Sequence, residues 1–174
     1  ATATPEMAEQ IATALDRPLA LVRTSVFRPN LFYEVIAAED RNDRIEKMIE
    51  VCAQERGNGI VYVSSRKDAE LHAGTLRHRG IQALPYHAGL PREERAKAQD
   101  AFMSGKVRVI VATIAFGMGV DKADVRFIVH MLPPGTVEAY AQESGRAGRD
   151  GALARCVMVT TRSDRSTLRA RARR

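Results

Sequence analysis

The spacing of apolar positions alternates between two periods along most of this chain. Leu31–Ala37 reads as a strand, and Arg41–Gln54 follows with Ile45, Met48, Ile49 and Cys52 on one helical stripe. The short run Gly59-Ile60-Val61-Tyr62-Val63 has the continuous apolar character of a strand buried on both faces. Lys67–Arg79 reads as a helix, with Ser65 or Ser64 as its N-cap and Gly80 as its stop. The rhythm then repeats: strand Ile81–Tyr86, charged helix Pro91–Met103 closed by Gly105, and strand Val107–Ala112. Strand Val125–His130, helix Thr136–Arg146, strand Ala154–Val159 and a final helical stretch Asp164–Arg173 complete it. Upstream, Thr4-Pro5 with Met7, Ile11, Ala14 and Leu15 reads as a capped helix, Leu19–Val22 as a short apolar piece, and Phe27-Arg28-Pro29-Asn30 as a turn. Strands of this length alternating with helices predict βαβ units: an α/β fold with a parallel sheet and helices on both faces.

The 174 residues fit one domain with a sizeable core, and 45% hydrophobic with 28% charged residues is ordinary for a globular protein. No apolar run reaches the length of a membrane span, and Ala1-Thr2-Ala3-Thr4-Pro5 lacks the basic and apolar segments of a secretory signal. Disordered, collagen-like, coiled-coil and membrane classes are set aside. Cys52 and Cys156 lie far apart, inside elements, and read as buried free thiols of a reducing compartment. His72, His78, His87 and His130 form no i, i+4 pair, so no metal site is expected from this chain.

The net charge of +6 is unevenly placed. Residues 1–145 carry 18 basic and 19 acidic side chains, whereas residues 146–174 carry nine arginines and two aspartates. Such a segment suits a polyanion, nucleic acid or nucleotide phosphate, or else forms a solvated tail.

In open α/β sheets, ligands bind beyond the carboxyl ends of strands. The loops to inspect are therefore Ser64–Lys67, Tyr86–Pro91, Thr113–Asp121 and Met131–Gly135. The strongest string lies after them, at Gln142-Glu143-Ser144-Gly145-Arg146-Ala147-Gly148-Arg149-Asp150-Gly151. On a continuous helix Gln142, Arg146 and Arg149 share one stripe, a flat cationic face interleaved with small residues. Arginine suits a γ-phosphate because it stays charged and bonds in a bidentate fork. In Val111–Asp121 a buried strand ends at Thr113 and enters a loop with Gly117 and Gly119, able to present N–H groups to phosphate or to serve as an ordinary turn. Val63-Ser64-Ser65-Arg66 offers hydroxyls and an arginine at a helix start, which an ordinary capped helix also requires. Tyr86-His87-Ala88-Gly89-Leu90 is similarly divided between site and scaffold.

Together these strings resemble the second RecA-like lobe of a superfamily 2 helicase of the RecQ family. Gln142–Gly151 resembles helicase motif VI, Ala112–Asp121 motif V and Ile60–Lys67 motif IV, with Tyr86–Leu90 resembling the segment after it. Phe27-Arg28-Pro29-Asn30-Leu31 resembles the RecQ lead-in to that lobe, and Ala1–Pro5 the end of motif III in the first lobe. The resemblance implies a three-layer α/β/α domain with a mainly parallel sheet of about six strands. Residues 1–26 would end the first lobe and its linker, 27–165 would form the second lobe, and 166–174 a basic tail.

It also implies roles. Arg149 and Arg146 would be catalytic, with Arg149 as an arginine finger. Gln142, Arg146, Arg149, Asp121 and Gly119 would line the ATP site. Ser64, Arg66, His87, Gly89 and Thr113 would follow the phosphates of one DNA strand. ATP and Mg²⁺ would be held mainly by the first lobe, since this sequence contains no Gly-x-x-x-x-Gly-Lys-Ser/Thr and no Asp-Glu-x-His. The implied partners are single-stranded DNA, a duplex junction and the first lobe of the same parent chain. No membrane partner is expected, and the oligomeric state stays open. The implied function is unwinding of duplex DNA, 3′→5′, in repair and recombination, with this lobe inactive alone. A non-catalytic nucleic-acid-binding module and an RNA helicase lobe are the alternatives. A bacterial, nucleoid-associated cytoplasmic protein is expected.

Overall fold

The computed structural model describes residues 5–15, 27–116, 121–164 and 166. The expectations for Ala1–Thr4, Leu19–Val22, Gly117, Gly119, Arg165 and the tail from residue 167 therefore lie outside the described residues.

A first helix, α1 (Pro5–Leu15), precedes β1 (Leu31–Ala37), α2 (Arg41–Gln54), β2 (Asn58–Tyr62), α3 (Arg66–His78) and β3 (Ala83–Tyr86). Then come α4 (Arg92–Met103), β4 (Val109–Ala112), β5 (Val125–His130), α5 (Val137–Ser144) and β6 (Ala154–Thr160). The strands form one six-stranded sheet in the order β1-β6-β5-β2-β4-β3, and every neighbouring pair is parallel. β1 and β3 are the edges. β1 pairs with β6 in the register Leu31↔Ala154 to Ala37↔Thr160.

Side-chain alternation along the central strands divides the core into two layers. Val61, Val109, Val111, Phe127, Val129, Val157 and Val159 face one side, where Met48, Cys52, Ala69, Ala73 and Leu76 of α2 and α3 cover them. Ile60, Tyr62, Ile110, Ala112, Ile128 and Cys156 face the other, against Ala98 and Phe102 of α4, Phe116 and Ala147. Phe102, Phe116 and Phe127 are fully buried, and each such side chain contributes about 1.5–3 kcal/mol. This is the expected three-layer α/β/α architecture.

The helix ends are set by local chemistry. Asp40 caps α2 by accepting from the Asp43 amide, Ser65 caps α3 through Asp68 and Thr136 caps α5 through Ala139. Two residues past the end of α3, Gly80 turns the chain with a φ of +77°. The Gly80 amide then donates to Arg77 O at 2.9 Å and the Ile81 amide to Leu76 O at 2.9 Å, a Schellman arrangement. That bond takes Ile81 away from the sheet, so β3 begins at Ala83, two residues later than periodicity predicts. α5 ends at Ser144, not Arg146. The Gly145 amide closes on Ala141 O, Gly148 takes φ +54°, and residues 145–150 form consecutive turns.

Candidate nucleotide and nucleic-acid interface

Five of the residues singled out from the sequence stand in a row at the carboxyl ends of three neighbouring strands. Ser64 and Arg66 follow β2, Thr113 follows β4, and His87 and Gly89 follow β3. The structure brings Arg66 against Gly89: a Cβ on Gly89 would stand 2.9 Å from Arg66 Cδ and 3.0 Å from its Nη1. A larger residue there would push the end of the Arg66 side chain aside. His87 is buried, and its Nε2 lies 3.2 Å from Glu70 Oε1. Thr113 is tied by its amide to Tyr86 O at 3.3 Å, and its carbonyl accepts from the Phe116 amide at 3.0 Å. Ser64 Oγ reaches Asp68 only at 3.5 Å, because Ser65 already holds that carboxylate at 2.7 Å.

The arginine-bearing segment occupies a different place. Its backbone is fastened to the entry of β5: the Gly148 amide donates to Val125 O at 2.8 Å and the Asp150 amide to Ala123 O at 3.3 Å. Gln142 is on α5, but Arg146 and Arg149 are on turns. The single helical stripe of the three is therefore corrected, because the chain leaves the helix at Gly145 and reverses at Gly148. The two glycines serve that reversal. A Cβ on Gly148 would meet Asn30 Nδ2 at 2.5 Å and Ala152 O at 2.6 Å, so the close approach is to the protein's own backbone.

The two guanidinia face different surroundings. Arg146 is half-buried and bonds to the Tyr62 hydroxyl, which itself donates to Phe116 O at 3.2 Å. Burial pushes the Tyr62 hydroxyl up to about 12, a shift that Arg146 opposes, Glu143 reinforces and Arg149 slightly opposes. Arg149 stands at the surface and pairs with Asp121, whose side chain is 83% exposed against 37% for Arg149. Gln142 is exposed. Gly119 lies outside the described residues.

Several residues of this region escape a reading of the sequence. Tyr62 is an aromatic at the end of an aliphatic strand, which is the one signal available. It stacks on buried His130 with ring centroids 5.2 Å apart. His130 Nε2 in turn contacts Glu143 Oε2 at 2.8 Å. The C-terminal basic segment is not one continuous surface either, since Arg155 is held by Glu34 at 2.7 Å and Glu55 at 3.0 Å. A cleft of about 650 Å³ beside Ser64 is lined by Arg41, Arg44 and Arg162 but also by Glu39, Asp40, Asp68 and Asp164, so it is not a basic surface. Among the described residues no group of three or more His, Cys, Asp or Glu side chains is placed to hold a metal, and no helix is long and apolar enough to cross a membrane.

An all-parallel six-stranded sheet in this order, covered by helices on both faces, is the fold of a RecA-like lobe. The model of the helicase conserved C-terminal domain matches residues 40–151, and the chain belongs to that family. Its relatives there are RecQ-type DNA helicases. ATP-dependent DNA helicase Q5 of Rattus norvegicus is 44% identical over 177 residues, covering 95% of this chain and 18% of that protein. ATP-dependent DNA helicase RecQ of Bacillus subtilis is 38% identical over 165 residues, covering 94% of this chain and 28% of that protein. The chain thus spans less than a third of either relative. Among solved structures, a DEAD box protein from Methanococcus jannaschii matches with a TM-score of 0.75 at 22% identity, over 98% of this chain and 46% of that one. The E. coli DEAD-box protein SrmB matches with a TM-score of 0.73 at 22% identity, over 87% and 86%. At that identity the structures speak for the fold.

The expected bacterial, nucleoid-associated cytoplasmic location is overturned. Relatives from rat, mouse, fission yeast and Arabidopsis match at 44%, 43%, 45% and 41% identity, above the 38% of the Bacillus protein. The similarity therefore assigns neither a bacterial source nor a compartment.

Proposed function

We propose that this chain is the second motor lobe of an ATP-dependent DNA helicase that unwinds duplex DNA 3′→5′ in repair and recombination. Residues 1–26 belong to the end of the first lobe and its linker, 27–165 to the second lobe, and 166–174 to a basic tail. ATP and Mg²⁺ are held mainly by the first lobe, and this lobe closes on them with Arg149, supported by Arg146, Gln142, Asp121 and Gly119. The nucleotide supplies a phosphoanhydride whose cleavage separates the closed and open arrangements of the lobes.

The observation that carries this reading is the Arg149–Asp121 pair. Arg149 sits on a turn fixed by its backbone, yet among the described residues the ion-pair partner of its side chain is an exposed carboxylate, Asp121. A surface ion pair of this kind is worth about 0–1 kcal/mol, so a phosphate can displace Asp121 at small cost. Half-buried Arg146, bonded to the Tyr62 hydroxyl, supports Arg149 from the same turn. Ser64, Arg66, His87, Gly89 and Thr113 follow the phosphates of one DNA strand, giving salt-dependent binding without sequence preference. The first lobe of the parent chain is the protein partner.

The test is Arg149→Ala in the full-length helicase carrying this lobe. ATP turnover is expected to fall at least ~10³-fold while DNA binding is largely kept. Arg149→Lys is expected to fail similarly, because an ammonium lacks the planar fork. Near-normal turnover would reject the role. The lobe by itself is expected to show no DNA-stimulated ATPase, and unwinding of DNA against RNA duplexes by the full-length protein separates this reading from an RNA helicase.

A further inference from the structure

In the sequence the Phe27–Leu31 lead-in is only a family marker, but the fold gives it a physical task. Arg28 Nη2 donates to Ala147 O at 3.1 Å and to Gly148 O at 2.6 Å. Asn30 Nδ2 donates to Gly148 O at 2.8 Å and to Ala152 O at 2.8 Å. Arg28 Nε lies 3.4 Å from Asn30 Oδ1, so the two side chains brace each other. The Asn30 carbonyl accepts from the Ala154 amide at 2.9 Å, locking the lead-in to the first residue of β6. Two side chains more than a hundred residues away in sequence thus hold two carbonyls of the turn that carries Arg146 and Arg149, those of Ala147 and Gly148, and a third just after it, that of Ala152.

These bonds have a geometric reason. Gly148 has φ +54° and no room for a Cβ beside Asn30. Its carbonyl accepts from the Gly151 amide at 3.0 Å within the local chain, and Arg28 and Asn30 add two side-chain donors from a distant segment. Arg149 is the next residue. Its own side-chain partner, Asp121, is exposed and exchangeable, so the direction in which Arg149 leaves the turn is fixed by the Gly148 backbone.

We propose that Arg28 and Asn30 are positioning residues for the arginine finger: they set the Gly148 carbonyl and thereby the direction of Arg149. The proposal rests on the functional reading above. A misplacement of about 1 Å in such a group can cost roughly 10²-fold in rate, which sets the size of the expected effect.

The experiment is a double-mutant cycle in the full-length helicase. Arg28→Ala and Asn30→Asp are each expected to lower kcat for ATP by about 10- to 100-fold with KM for ATP nearly unchanged, whereas Arg28→Lys, which keeps one donor, loses less. In the Arg149→Ala background, Arg28→Ala is expected to add little further loss, because the finger it positions is gone. A purely structural role would lower kcat by the same factor in both backgrounds. Hydrogen exchange supplies an independent readout, with amides of residues 146–151 expected to exchange faster in Arg28→Ala and those of β2 unchanged. The inference is overturned if kcat stays within about twofold in both Arg28→Ala and Asn30→Asp, or if the losses multiply fully with Arg149→Ala. Should Arg28→Ala not fold, Arg28→Lys and Asn30→Asp decide by the same criteria. If Arg149→Ala alone keeps wild-type turnover, the functional reading fails first and takes this inference with it.

Discussion

Arg149 and Asp121 meet as an ion pair at the surface, each coming from a different loop and both well exposed to solvent. The relationship makes Asp121 a resting place for the guanidinium and not a pin of the fold. Asp121→Asn is expected to change unfolding free energy by less than about 1 kcal/mol in urea melts of the chain. A loss above ~2 kcal/mol would show that the pair holds the loop together.

Gly148 has the opposite character. Its φ of +54° is left-handed, and a Cβ there would stand 2.6 Å from Ala152 O, a backbone atom that cannot yield as the end of a flexible side chain can. Gly148→Ala is expected to destabilise the chain by about 1–3 kcal/mol, read as a lower urea midpoint with an unchanged slope. An unchanged midpoint would mean that the turn relaxes without strain.

His72 is buried in α3, and burial lowers its pKa below the ordinary value of about 6.5, with Asp68 opposing and Arg41 reinforcing the shift. The native state therefore takes up its proton at lower pH than the unfolded chain does. Stability contributed by neutral His72 is complete above about pH 6.5 and is lost as pH falls below it. Thermal melts from about pH 5 to about pH 7.5 are expected to show a steeper acid-side decline for the chain than for His72→Gln. Parallel curves would remove His72 as the cause.

Cys52 and Cys156 are both free and buried, and burial pushes each thiol up to about 12. Neither is expected to react with a thiol reagent at about pH 7.5 under native conditions, and both should react at once in denaturant. Stoichiometric native labelling would show that one of the two core layers opens.

The bounds of β1, α2 and β5 are readable to the residue, because Leu31 and Val125 open apolar runs and Asp40 caps the helix that starts at Arg41. β3 and β4 are shorter than periodicity predicts. Ile81 is apolar enough for a strand, but its amide closes α3, and the Val107 amide bonds to Ala101 O at the end of α4. Apolar period records burial and is blind to which carbonyl an amide chooses. The same blindness hides the end of α5: Gln142, Arg146 and Arg149 have helical spacing, and only the pairing of Gly148 with Asn30 shows that the chain has turned by then. The row from Ser64 to Thr113 is legible because strand ends mark it. The contacts of Tyr62 with Arg146 and of Arg28 with Ala147 join distant stretches, which no local pattern encodes.

The edge strand β1 has one neighbour, and that neighbour is β6. During synthesis the first strand of the sheet to leave the ribosome must wait, exposed, for the last. Phe32, Tyr33 and Val35 stay exposed even after that pairing, so what the last strand supplies to the first is a backbone partner: until β6 is made, β1 carries an unpaired ladder along both of its sides.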